Sequence, residues 1–165
     1  MTVATQPRVS EFYAKPESSL GYLCRIGFRN FSRVLEKRTL PMGVTAGQWR
    51  FLRVLWAEDG LSQRELSRRV GMREPTTVVA LKSLEKSGYI RRVPNTVDRR
   101  ITNVFVTQSA RDLELKLLPF VAEVNDMAIA GLSQAEVDQL RTLLCHVIDN
   151  LQDEADSVMR RAGPE

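Results

Sequence analysis

Between Leu61 and Val106 the hydrophobic spacing changes once, and that single change limits the folds open to the chain. Before it, apolar residues recur every three or four positions, the spacing of one helix face. Ser62, with Glu65 three residues on, reads as a capping box that starts a short helix to Val70, and Gly71 stops that helix. A second helix is predicted from about Glu74 to Ser87. Pro75 sits in its first turn, where the missing N–H costs little, and Gly88 ends it. After Gly88 the period becomes that of strands: residues 89–93 and 102–106 are rich in β-branched and aromatic residues, with Pro94 and Asn95 as turn formers between them. Two short helices followed by one β-hairpin exclude large sheets and pure helical bundles.

The flanks are helical. Leu20, Leu23, Cys24, Gly27, Phe31, Val34 and Leu35 share one stripe of a helix that ends near Pro41 and Gly43. Thr45 opens another through Trp49, Leu52, Val54, Leu55 and Trp56, closed by Asp59 and Gly60. Two helices follow the hairpin, roughly 109–130 and 133–161. The last carries Val137, Leu140, Leu144, Val147, Leu151 and Val158 at three- and four-residue intervals, a stripe longer than a small domain covers by itself. A second copy of the chain is the expected cover. The predicted architecture is therefore mainly α and a single domain over 1–165. A lobe over about 45–107 is flanked by dimerisation helices over about 17–40 and 109–161.

Charge is distributed unevenly. Residues 61–107 carry ten Lys or Arg against four acids, whereas residues 108–165 carry five against eleven. A basic segment suits a polyanion, because each phosphate neutralised releases counterions. A short capped helix, a glycine turn, a second helix and a basic hairpin together make a winged helix-turn-helix, with the second helix in the major groove and the hairpin reaching the adjacent backbone or minor groove of double-stranded DNA. On a helical wheel Thr77, Leu81, Leu84 and Gly88 point inward, leaving Thr76, Val79, Lys82 and Ser83 outside. Val79 suits a thymine methyl, and Thr76 a base edge or phosphate. The candidate DNA contacts are Ser62, Gln63, Arg73, Thr76, Thr77, Val79, Lys82 and Ser83 from the helices, with Arg91, Arg92, Arg99 and Arg100 from the wing. Asp98 is expected to brace a wing arginine so that it points outward.

The segment LSQRELSRRVGMREPTTVVALKSLEKSGYIRR, followed by DRRITNVFVT, resembles the MarR family of bacterial transcription regulators. The resemblance extends over about residues 17–160. The acid and the second arginine characteristic of that family's wing match Asp98 and Arg100. Four positions depart from the family pattern: Arg73 stands where a small polar residue is frequent, Val78 and Val79 replace a common Thr-Arg pair, and Ala110 replaces the glycine after the wing. The resemblance implies a homodimeric repressor on an inverted-repeat operator, released by a small effector such as an aromatic carboxylate or acyl-CoA thioester. It places the effector pocket between the dimerisation helices and the DNA-binding lobe. Candidates there are Arg25 and Arg29, four apart on one helix face, with Phe28, Trp49 and Phe51 as aromatic walls.

Some family members sense peroxide through a cysteine on the first helix, which by count from Thr45 falls near Gly21 here. Cys24 and Cys145 are accordingly expected to be packed, structural thiols. Two cysteines and the lone His146 supply neither a disulfide framework nor spaced zinc ligands, so no metal or cofactor is expected. Enzyme motifs are missing: there is no nucleophile elbow and no Gly-rich phosphate loop. No run of about 18 apolar residues occurs, and residues 1–12 lack the apolar core of a secretory signal, which predicts a cytoplasmic protein with no membrane partner. A ligand-independent architectural DNA binder and a thiol-based redox-sensing repressor are the alternatives.

Overall fold

The computed structural model describes residues 15–162, with side chains as far as Gln152; the amino-terminal residues 1–12 and the side chain of Val158 fall outside that description. The element order is α1 (Leu20–Thr39), α2 (Ala46–Ala57), β1 (Leu61–Ser62), α3 (Gln63–Val70), α4 (Glu74–Lys86), β2 (Ile90–Pro94), β3 (Thr102–Val106), α5 (Gln108–Ile129) and α6 (Gln134–Ala162). Contacts divide the chain, read above as one domain, into two compact units, up to Val124 and from Asn125 on. Among the described residues no helix is long and apolar enough to cross a membrane.

Local signals place most helix ends. The Thr45 hydroxyl accepts from the Gln48 N–H at 3.2 Å, and the Gln48 side chain accepts from the Thr45 N–H at 3.0 Å, a reciprocal cap on α2 that the sequence reading did not single out. Ser62 makes only half of the box expected of it. Its hydroxyl accepts from the Glu65 N–H at 3.1 Å, but the Glu65 carboxylate turns away to Arg68 and Arg69. A guanidinium offers a carboxylate stronger bonds than a backbone N–H does.

The hairpin gains a third strand. β1 pairs antiparallel with β3, Leu61 opposite Val104 and Ser62 opposite Asn103, giving the order β1-β3-β2. Two residues are too few to show an alternating pattern, so this strand was not legible in advance. Gly60 makes the approach possible: its φ is +76°, and a Cβ there would stand 2.8 Å from the Phe105 ring.

The first unit is built on one core, with Phe51, Leu52, Leu55, Leu66, Leu81, Leu84, Val104 and Leu117 fully buried. Each such side chain contributes about 1.5–3 kcal/mol relative to exposure. Glu36 on α1 accepts from the Ala46 N–H at 2.9 Å, and Arg38 donates to Glu123 at 2.7 Å, which ties α1 to the start of α2 and to α5. In the second unit Val137 is buried, while Leu140, Leu144 and Leu151 of the same stripe stand exposed. Leu20, Leu23 and Phe31 on α1 are likewise exposed. These faces also correct the reading of the cysteines: Cys24 and Cys145 are exposed rather than packed, because among the described residues nothing covers the faces on which they lie.

Candidate nucleic-acid interface

The lobe presents α4 with a sharply divided surface. Thr77, Leu81 and Leu84 face the core, and Thr76, Val79, Lys82 and Ser83 are exposed, Val79 at 68%. Arg73 caps the amino end of α4 without a side-chain hydrogen bond and is exposed. Ser83 is partly committed inward, since its hydroxyl accepts from Gln48 Nε2 at 3.2 Å.

One expected contact is corrected, and two others are partly committed inside the lobe. Thr77 is 1% exposed, and its hydroxyl lies buried with no hydrogen-bond partner, so it belongs to the packing of α4 and not to a groove-facing surface. Ser62 spends its hydroxyl on the α3 cap. Gln63 beside it has a buried Oε1 without a partner, which turns that end of the amide away from solvent.

The wing sorts its four arginines. Arg91 stacks on the Phe105 ring at 4.6 Å. Arg92 points back to α4, where Nε donates to Glu85 Oε2 at 2.9 Å, so it serves the seam between helix and hairpin. Arg99 and Arg100 are exposed and have no carboxylate partner among the described residues. Asp98 does brace the loop, but through the backbone: its Oδ1 accepts from the Arg100 N–H at 2.9 Å, which leaves the guanidinium free. Glu85 and Phe105 escaped the sequence reading. Their partners are set by strand register, and no spacing rule reports that.

The five expected effector residues do not come together. Trp49 and Phe51 are core side chains, Trp49 edge-on to Trp56 with ring centres 5.4 Å apart and Phe51 fully buried, because α2 is covered on more than one face. On α1, Arg25 lies over Tyr22 at 5.3 Å, Arg29 is exposed, and Phe28 receives Arg50 at 4.6 Å. A separate cavity of about 480 Å³ lies among Met42, Tyr89, Ser109, Asp112, Leu113 and Lys116 and contains none of the five. Among the described residues no cluster of three or more His, Cys, Asp or Glu is placed to hold a metal.

Residues 44–102, which hold α3, α4 and most of the wing, match the profile of the MarR family. The chain is 31% identical over 147 residues to the HTH-type transcriptional regulator TtmR of Methylorubrum extorquens (strain PA1), covering 89% of this chain and 71% of that protein. The solved MarR transcriptional regulator of Methanosarcina mazei Go1 superposes with a TM-score of 0.78 at 25% identity, covering 81% of this chain and 96% of that one. The transcriptional repressor CouR, solved on a 23-mer DNA duplex, superposes at 0.73 with 24% identity, covering 81% and 95% of the two chains. Exposed α4, arginine-tipped wing and these relatives agree: the chain belongs to the MarR family of DNA-binding transcriptional regulators.

Proposed function

We propose that two copies of this chain bind an inverted-repeat operator as a repressor, α4 reading the major groove through Thr76, Val79, Lys82 and Arg73 while Arg99 and Arg100 of the wing meet the phosphates or minor groove. The observation that carries this is a division of labour between two exposed elements of the lobe, an uncharged pair on α4 and two arginines without a carboxylate partner on a braced turn. Phosphate contacts position a protein and base contacts specify the site. The uncovered apolar faces of α1 and α6 support a homodimer, and twofold symmetry in the protein requires it in the DNA.

Release by a small anionic aromatic acid or acyl-CoA thioester completes the reading. Arg25, Arg29 and Phe28 remain its residues, now without Trp49 and Phe51 and with Arg50, whose Nε is buried without a hydrogen-bond partner. A ligand that binds better to a conformation wrong for DNA lowers operator affinity by its differential affinity. The test is operator selection from random DNA with sedimentation of the free protein, followed by titration of an acid and thioester panel into the complex. A dimer, dyad-symmetric sites and release by anionic but not neutral compounds are expected. A monomer at micromolar concentration, or selected DNA without dyad symmetry, refutes the reading, and binding without sequence preference favours an architectural role.

A further inference from the structure

We infer that Val97 is the base-selective tip of the wing, an apolar side chain that excludes the guanine 2-amino group from the minor groove. The inference rests on the docking of the wing against DNA proposed above and names the residue that gives that docking base selectivity.

Val97 is 95% exposed at the point of the turn between β2 and β3, the most open large apolar side chain described. Its backbone is held. The N–H groups of Val97 and Asp98 both donate to Asn95 Oδ1, at 2.8 and 3.0 Å, and Asn95 Nδ2 donates to Asn103 Oδ1 at 2.9 Å. Asn103 Nδ2 donates in turn to the Gly60 carbonyl at 2.6 Å, anchoring the turn to the start of β1. Backbone bonds from Asn95 to Ile101 and from Ile101 to Asp98 close the loop. Asn95 and Asp98 thus hold the backbone of the turn, and a branched hydrocarbon stands at its end with Arg99 and Arg100 beside it.

That pairing of chemistries matches one groove floor better than the other. An A·T pair offers only acceptors in the minor groove, which arginine donors answer, and A·T runs narrow the groove and deepen its negative potential. A G·C pair adds the guanine 2-amino donor. Two valine methyls seated there strip its water and supply no acceptor, and a buried donor left unmade is penalised. Asp98 beside them commits its Oδ1 to the Arg100 N–H.

The experiment uses the full chain on its selected operator, with the base pairs under the wing located by hydroxyl-radical footprinting. Those pairs are then changed from A·T to G·C or to inosine·C, which keeps the major-groove face of G·C but lacks the 2-amino group. Wild type is expected to bind inosine·C like A·T and G·C about tenfold more weakly, equivalent to about 1.4 kcal/mol. Val97→Thr, which keeps the shape and adds a hydroxyl, is expected to shrink that penalty to about threefold or less, as one hydrogen bond answers the amino group. Selected operators with G·C under the wing, an inosine·C site as weak as G·C, or an unchanged penalty in Val97→Thr each overturn the inference. Arg100→Ala separates the two readings. If it leaves affinity and salt dependence untouched the wing does not engage DNA and both fall, whereas if it weakens binding while Val97→Thr changes nothing only the role of Val97 falls.

Discussion

Arg92 holds Glu85 from two directions: its Nε donates to Oε2 at 2.9 Å, and its backbone N–H donates to Oε1 at 3.3 Å. The hydrogen bond from the guanidinium keeps the Glu85 carboxyl below its usual range. This directly links the carboxy-terminal turn of α4 to the first strand of the wing, the two parts that meet DNA in the proposed complex. Because the carboxylate is about a third exposed, the pair contributes less than about 1 kcal/mol to stability. Its weight falls on geometry. Glu85→Gln is expected to lower the melting temperature by at most about 3 °C while weakening operator binding about three- to tenfold, the loss of roughly one positioned contact. Arg92→Lys should fail to compensate, since an ammonium cannot reproduce the fork. Calorimetry paired with anisotropy titration checks both, and wild-type affinity in Glu85→Gln would refute the positioning role.

Arg100 and the outer face of α4 are expected to fail differently. Arg100→Ala should weaken binding to every sequence and reduce the slope of log affinity against log salt by about one for each wing. Thr76→Ala and Val79→Ala should leave the slope alone and change which bases are preferred, by about 1–3 kcal/mol at the position read. Salt titrations and repeated operator selection separate the two outcomes. A salt slope unchanged in Arg100→Ala would count against that arginine as a phosphate or groove contact.

Thr77 offers a stabilising substitution. Its hydroxyl is buried without a partner, so Thr77→Val keeps the shape and removes an unmet polar group. A gain of about 1 kcal/mol, or 2–4 °C in melting temperature, is expected. Base preference should not change. Altered selection by Thr77→Val would return the residue to the DNA-facing surface.

Glu65 provides a pH marker for α3. Hydrogen bonds from Arg68 first and from Arg69 second push its carboxyl down to about 2 from an ordinary 4.5. A depressed carboxyl pKa stabilises the fold above the unfolded value, and that contribution is lost as pH falls from 4.5 through about 2. A carbon-detected titration of the Glu65 side chain at low salt should give a midpoint near 2, moving upward in about 1 M salt because the network is exposed to screening. A low-salt midpoint at the ordinary value would show that the network does not form in solution.

The helices, the Ser62 cap, the stops at Gly71 and Gly88 and the outer face of α4 were all legible from residues no more than four apart. Caps, turns and helix faces are satisfied within one turn of backbone, so the residues that cause them are neighbours in sequence. Thr76 and Val79 fell outward for that reason. β1 escaped because two residues carry no period, whereas the reciprocal cap at Thr45 was legible in Gln48 three residues on, the spacing read at Ser62 and Glu65.

The sequence by itself determined which segments are helix or strand and where basic charge collects. Only the tertiary structure decided which arginines are free. Arg92 is taken by Glu85 seven residues away, Arg91 rests on Phe105, and Arg99 and Arg100 stay open, although all four look alike along the chain. It also moved Trp49 and Phe51 into the core, because a helix covered on more than one face buries aromatics that a single-stripe reading leaves available. The physical reason is range: a cap or a helix face is set by backbone geometry a few residues long, whereas the partner of a long charged side chain is set by strand register and packing that join distant segments.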